Sequence, residues 1–339
     1  MPEFTGSTPW ANLTRVSSDA EFATAEEMLG AANLDWGVEL KPLYHYEREK
    51  ADNGVVETPI DYGGSIGVVT NFTGVEKPSK KGKLRLVKNG LFEVVRTDNE
   101  DVLAKAVTDT YEPYTNHEIF AFADQLVDDG TGSWTAAGET KGGRKVFAVQ
   151  KLTEAVEVDG HDAHDLYLLL QSGHNGGTAL KLSVIPFRLE CSNALPLATR
   201  TMKQSWSIPH TKALHGRLTE AREALKLSYR YAEDFKTLTE KLTGVLVTDE
   251  EVRTIVDGSV YAKRAKRDDV IEDIMSVYAD SDVNRWRGTA YGVTNAITEY
   301  YQHHYNWRTP ETLFASVDER GESTWVTNNA VRLSLALAA

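Results

Sequence analysis

His174–Arg200 reads HNGGTALKLSVIPFRLECSNALPLATR, and this stretch decides what kind of fold the chain makes. Gly176 and Gly177 supply the positive backbone angles of a tight turn. Beyond them, Thr178 to Cys191 is an apolar run of strand length, rich in β-branched and aromatic residues. The preceding run DLYLLLQS is a second strand, so the glycine turn joins a hairpin and makes the sheet antiparallel at this point. Pro196 closes the strand-forming region.

Working back from the turn, RKVFAVQKL and SWTAAGET read as two more strands, with Lys141-Gly142-Gly143-Arg144 as the turn between them. Further upstream come WGVELKPLYHY, SIGVVTNF, KLRLVK and LFEVVRT. The pair Asn89-Gly90 between the last two predicts a two-residue hairpin, with Lys83 and Arg85 on one face and Leu84 and Leu86 on the other. DVLAKAVTDTYEPY is a strand running into a turn at Pro113. Asn116 is then the expected cap of a helix reaching Asp129, and Thr24 with Glu27 boxes a short helix to Ala32. The fold class is therefore α+β: an antiparallel, hairpin-rich sheet with helices on one face.

After Pro209 the pattern becomes helical. Leu214, Leu218, Ala221, Leu225, Ala232, Phe235, Leu238 and Leu242 make one stripe that Gly244 ends. Thr248 with Glu251 boxes another helix, and Asp268 to Ala279 forms a third. A seam through Val283, Trp286, Ala290, Val293, Ile297, Tyr300 and His304 predicts a long helix, with Asn295, Glu299 and His303 on its polar side. Thr309-Pro310 opens a short helix, and Ser323 to Ala338 is the last. The expected division is an α+β domain over 1–206 and an all-α region over 207–339.

The chain has 339 residues, 41% of them hydrophobic and 26% charged, with a single cysteine. One cysteine makes no internal disulfide, no apolar run is long enough for a membrane span, and the expected location is cytoplasmic. A formal charge of −13 argues against a general polyanion binder. Its distribution is uneven: Glu93 to Asp165 carries 16 acids against 6 bases, whereas Lys77 to Lys88 carries six bases and no acid. Lys263, Arg264, Lys266 and Arg267 form a second basic knot, and Lys141, Arg144 and Lys145 a third.

The chemistry-bearing residues are weighed against plainer roles. His161-Asp162-Ala163-His164-Asp165 has metal-ligand residue types, but its position after Asp159-Gly160 predicts a solvated turn. Glu299 and His303 read as a hydrogen-bonded helical pair, and Cys191 as a small buried hydrophobe. HExxH, CxxC and GxxxxGK[ST] are absent, and no serine-nucleophile motif is singled out, so no catalytic residue, metal or cofactor is expected. His174, Arg188 and Asn193 are expected to form a structural polar core that locks the sheet to the helical half. Lys80, Lys81, Lys83, Arg85 and Lys88 on the basic ribbon, with Arg144 and Lys145, are the candidates for phosphate contact.

An ordered series of motifs carries a resemblance. It comprises Leu34-Asp35-Trp36, Tyr111-x-Pro-x-x-Asn116, Gly142-Gly143-Arg144-Lys145-Val146, His174-Asn175-Gly176, Arg188-Leu-x-Cys191-x-Asn193, Ile208-x-His210-Thr211 and Asn295-Ala296-x-x-Glu299-Tyr300. The series resembles the phage/plasmid-like protein family built on domain of unknown function 932. Where that family often has Asp after the first His, this chain has Asn175. The resemblance implies a mobile-element setting in a bacterial or archaeal cell, and no catalytic residues. The layout also looks like the Rad52-type single-strand annealing proteins. The function expected is a non-enzymatic, homo-oligomeric protein that binds single-stranded DNA and assists annealing or recombination. The alternatives are a module that sequesters a host or defence protein through its acidic surface, and a small-ligand or nucleotide binder.

Overall fold

The computed structural model describes residues 10, 13–14, 21–48, 84–126, 132–158, 160, 162–188, 193–194, 205–211, 215–261, 266–280, 285–317 and 321–337. Helix α1, Ala25–Ala31, is followed by strands β1, Val38–Arg48, β2, Leu84–Arg96, and β3, Val102–Val107. After α2, Asn116–Asp124, come β4, Gly132–Thr140, β5, Lys145–Val158, β6, Asp162–Gly173, β7, Leu180–Arg188, β8, Asn193–Ala194, and β9, Ser205–Ile208. The helical half contains α3, Leu218–Thr243, α4, Asp249–Ser259, α5, Arg267–Asp280, α6, Ala290–Glu299, α7, Pro310–Ser316, and α8, Glu322–Leu337. The fold is α+β, with a three-stranded sheet β1-β2-β3 and a six-stranded sheet in which β4 to β7 are antiparallel neighbours. Strands β8 and β9 share the free side of β7.

Alternation along the strands places the core. Val146 and Ala148 of β5, Leu166, Leu168 and Leu170 of β6, and Leu180, Leu182 and Val184 of β7 join one large buried cluster with α1, α2 and the C-terminal helices. The intervening residues, Phe147, Val149, Leu169, Ile185 and Phe187, face the other way, where Phe314 of α7 and Trp10 give a smaller cover. One face of the sheet is thus closed by helices, and the other is partly open. Among the described residues, no helix is long and apolar enough to cross a membrane.

The sequence patterns hold at most element ends. Thr24, Thr248 and Thr309 cap their helices as expected, each worth about 1 kcal/mol against alanine. Four expectations are corrected. First, Asn89-Gly90 makes no hairpin: Leu84 to Lys88 and Phe92 to Arg96 both pair with β1, so the chain continues straight on. Between Pro42 and Tyr44 the partner strand advances from Phe92 to Lys88, which makes the Asn89–Leu91 segment a bulge. Gly90 takes φ +78° and Asn89 Oδ1 accepts from Leu91 N at 2.9 Å, so the local chemistry of the pair is used without reversal. The expected hairpin partner was wrong because β1 offers a longer ladder than either half of β2 offers the other.

Second, the cap of α2 is Thr115, boxed with Glu118, and Asn116 is the first helical residue with its side chain fully buried. Third, His164 and Asp165 belong to β6, not to a solvated turn. His164 is 0% exposed against the Phe235 ring and Tyr291 Oη, and Asp165 pairs with Lys151 at 2.7 Å. Fourth, the long seam helix is interrupted: Gly288 takes φ +81°, α6 begins at Ala290, and a π turn occupies Tyr300–His304. Asn295 is buried because α6 runs through the middle of the helical half, packed by α3, α4, α5 and α8. Its polar side chains bond their own helix, as Asn295 Nδ2 does to Tyr291 O at 3.1 Å.

Candidate functional site

The partly open face of the six-stranded sheet holds a cavity of about 450 Å³. Its floor follows from register. Phe147 of β5, Gln171 of β6, Lys181 of β7 and Ser207 of β9 stand opposite one another in a row across four strands. Lys145 lies two residues outward on β5, on the same face, which puts its Cα roughly 12 Å from that of Lys181. The β4–β5 turn brings Lys141 to the rim, with Thr140 beside it, and Thr178 and Ser205 add hydroxyls. Glu311, Phe314 and Ala315 of α7 form the opposite wall. Phe314 anchors that wall, its ring 4.9 Å from Phe147. Hydrogen bonding to Thr309 and to its own amide, with Lys141 nearby, holds the Glu311 carboxyl below its ordinary pKa. Three ammonium groups and one carboxylate therefore face a groove large enough for a nucleotide-sized anion.

Behind this surface, on the core side, lies a buried polar network. Asn116 Nδ2 donates to Leu34 O at 2.8 Å, so its Oδ1 accepts from His174 Nε2 at 2.9 Å. That bond fixes the neutral tautomer with a bare Nδ1, for which no hydrogen-bond partner is present among the described residues. His174 is 0% exposed, and burial, then His210 and Arg96, pushes its pKa down to about 3. Its ring meets Trp36 edge-on at 5.2 Å, and the Arg96 guanidinium lies 4.0 Å over the same indole. Arg96 is fully engaged, bidentate to Asp98 at 2.9 and 2.7 Å and bonded to Glu139, which also accepts from Trp36 Nε1. Gly143, at φ +86°, gives this group its room. A Cβ there would stand 2.9 Å from Arg96 Nη1 and 3.1 Å from the Trp36 ring. Gly143→Ala is therefore expected to destabilise the protein by about 2–4 kcal/mol, since it combines left-handed strain with disturbance of a buried ion pair. A urea melt within 0.5 kcal/mol of wild type would contradict this.

A second histidine completes the network. His210 stacks between Tyr111 and Tyr114, its Nδ1 donates to Glu112 O at 3.2 Å, and its Nε2 accepts from Ser172 Oγ at 3.1 Å. Serine, histidine and an orienting acceptor are the parts of a nucleophilic pair. Ser172, however, is 1% exposed; it borders the groove, but its hydroxyl is spent on buried His210 on the core side. The pair is a structural clasp between β6 and the segment ahead of α3.

The phosphate-contact candidates separate. Lys145 joins the groove, and Arg144 is exposed beside it with Nη2 reaching Val102 O at 3.5 Å. Lys88 is exposed in the middle of β2, on the far side of the Asn89–Leu91 bulge from Arg96, and does not line the groove. Lys80, Lys81 and Lys83 lie outside the described residues, as do Cys191 and the side chain of Arg85. Of the expected polar core, His174 is buried, with its hydrogen bond to Asn116 of α2 and its ring against Trp36. Arg188 and Asn193 pair through their backbones, and their side chains lie outside what is described. Lys181 was missed, although alternation through Lys181, Ser183 and Ile185 places it on the face opposite Leu180 and Leu182. Gly63-Gly64-Ser65-Ile66-Gly67 has a Gly-x-Ser-x-Gly spacing, and it lies outside the described residues.

Five of the seven resembling motifs meet in this one region. Trp36, Asn116, Gly143, His174 and His210 come from separate elements and form its contacts. A family model described as Domain of unknown function (DUF932) matches residues 104–325. The chain belongs to that family. No match is found among curated proteins or among solved structures. Within the DUF932 span lie Asn116, Gly143, His174 and His210, whereas Trp36 packs onto the span from outside it.

Proposed function

We propose that this DUF932 protein is a non-enzymatic single-stranded DNA-binding protein, acting in annealing or recombination in the cytoplasmic, mobile-element setting that the family resemblance implies. The observation that carries the reading is the groove in which Lys141, Lys145 and Lys181 face one cavity on an open sheet surface. Lysine ammonium groups on flexible stems neutralise backbone phosphates without needing a fixed geometry. Hydroxyls along β9 and the glycine turn supply hydrogen-bond donors for the same oxygens. A concentration of positive charge in a chain of net charge −13 is a local feature, and local charge is what a bound strand senses within a Debye length of about 8–10 Å.

Fluorescence anisotropy with a labelled single-stranded oligonucleotide tests the reading. Three phosphate contacts predict a slope of log affinity against log salt near −2, hence roughly 15- to 20-fold weaker binding at 200 mM than at 50 mM salt. Absence of binding at 50 mM, or binding indifferent to salt, would refute the proposal. Glu311 supplies a graded check, because its ionised carboxyl opposes phosphate in the groove. Glu311→Gln is expected to tighten binding roughly fivefold at low salt, the size of one solvent-screened charge contact.

A further inference from the structure

We infer that the bound strand continues from the lysine groove onto the stacked ring pair Tyr261–Trp325, where an unpaired base adds to the stack. This inference rests on the single-stranded DNA reading and extends its path. The two rings are parallel within 5°, with centroids 3.9 Å apart, yet Tyr261 is 41% and Trp325 39% exposed. A parallel ring pair that keeps this much of its surface in solvent has the form of a platform on which a base stacks whatever its identity.

Continuity with the groove is built into the join of α7 and α8. Ala315 lines the groove, and Gly321 is pressed so closely onto the backbone carbonyls of Ala315 and Ser316 that no side chain fits there. Trp325 N donates to Gly321 O at 2.9 Å, so Trp325 stands one helical turn, about 5–6 Å of rise, beyond that contact. Lys266, close after Tyr261 in the chain and ahead of α5, is exposed. An exposed aromatic pair on the helix that follows the groove wall matches a polyanion that carries planar bases.

Anisotropy with two oligonucleotides of equal length, one natural and one abasic throughout, tests the inference. Trp325→Ala is expected to weaken binding of the natural strand roughly tenfold and of the abasic strand less than about twofold. Equal losses for both strands, or none for the natural strand in Trp325→Ala and Tyr261→Ala while Lys141→Glu/Lys145→Glu abolishes binding, would overturn the inference and leave the groove reading standing. Failure of the wild type to bind either strand would instead remove the groove reading, and this inference with it. A measurement on the wild-type protein covers the case in which Trp325→Ala does not fold. Photo-crosslinking of an iodouracil-substituted strand is expected to label Tyr261 or Trp325, and labelling confined to the groove would count against the platform.

Discussion

The double substitution Lys141→Glu/Lys145→Glu is expected to weaken single-stranded DNA binding by roughly a hundredfold or more at 50 mM salt and to flatten its salt dependence. Three lysines face the groove, and reversing two leaves Lys181 opposite two new carboxylates and Glu311. A single remaining phosphate contact predicts a slope near −0.7 instead of about −2. Stability is not expected to change by more than about 0.5 kcal/mol, because both side chains are exposed at a turn and a strand end. Lys88→Glu is the control, since it reverses one lysine on β2 that does not line the groove. Equal losses from the control and from the groove variant would mean that overall charge, and not this groove, governs binding. An unchanged slope in the groove variant would sink the site assignment outright.

How much of this was legible in the sequence depends on the range of the interaction that decides each feature. The helix starts at Thr24, Thr248 and Thr309 are decided within four residues, and there the pattern and the structure agree. The β4–β5 and β6–β7 hairpins are similarly local, because Gly142, Gly143 and Gly176 take the positive φ their turns require, although Gly177, expected to share it, does not. Asn89-Gly90 shows the limit of such reasoning. The same dipeptide satisfies a hairpin or a bulge, and the choice falls to β1, about fifty residues earlier, with its ten paired positions. His164 was misplaced for a related reason: two aspartates and a glycine nearby read as solvent, while burial comes from Phe235 and Tyr291 in the helical half.

The candidate site divides along the same line. Lys141, Arg144 and Lys145 stood out as a basic knot, whereas Lys181 joins them only through the register that sets β7 two strands away from β5. The buried network was legible as a list of motif residues and not as a geometry. Asn116 reads as a cap in the sequence, but Thr115 takes that role and leaves the Asn116 amide to bridge Leu34 and His174.

That bridge gives the second large expectation, a loss of stability on mild acidification. An unfolded histidine titrates near 6.5, and burial holds native His174 down to about 3. Between those values the unfolded chain binds a proton that the native fold does not. Stability from His174 is therefore complete above pH 6.5 and declines as pH falls toward about 3, by about 1.4 kcal/mol per pH unit once well below 6.5. By pH 5 the loss is about 2 kcal/mol, and His210, also lowered by burial, adds in the same direction. Protonating His174 at Nδ1 would set a cation beside Arg96, with no acceptor for the new N–H. His174→Gln is the discriminating variant, because its amide keeps a donor for Asn116 Oδ1 and cannot titrate. Its stability at neutral pH is expected to fall through imperfect packing against Trp36, yet its slope between pH 6.5 and 5 should be shallower by close to one proton. Urea melts at half-unit pH intervals measure both quantities. A wild-type curve flat from pH 7 to 5, or a variant as acid-sensitive as wild type, would show that burial does not hold the His174 ring neutral in the native fold.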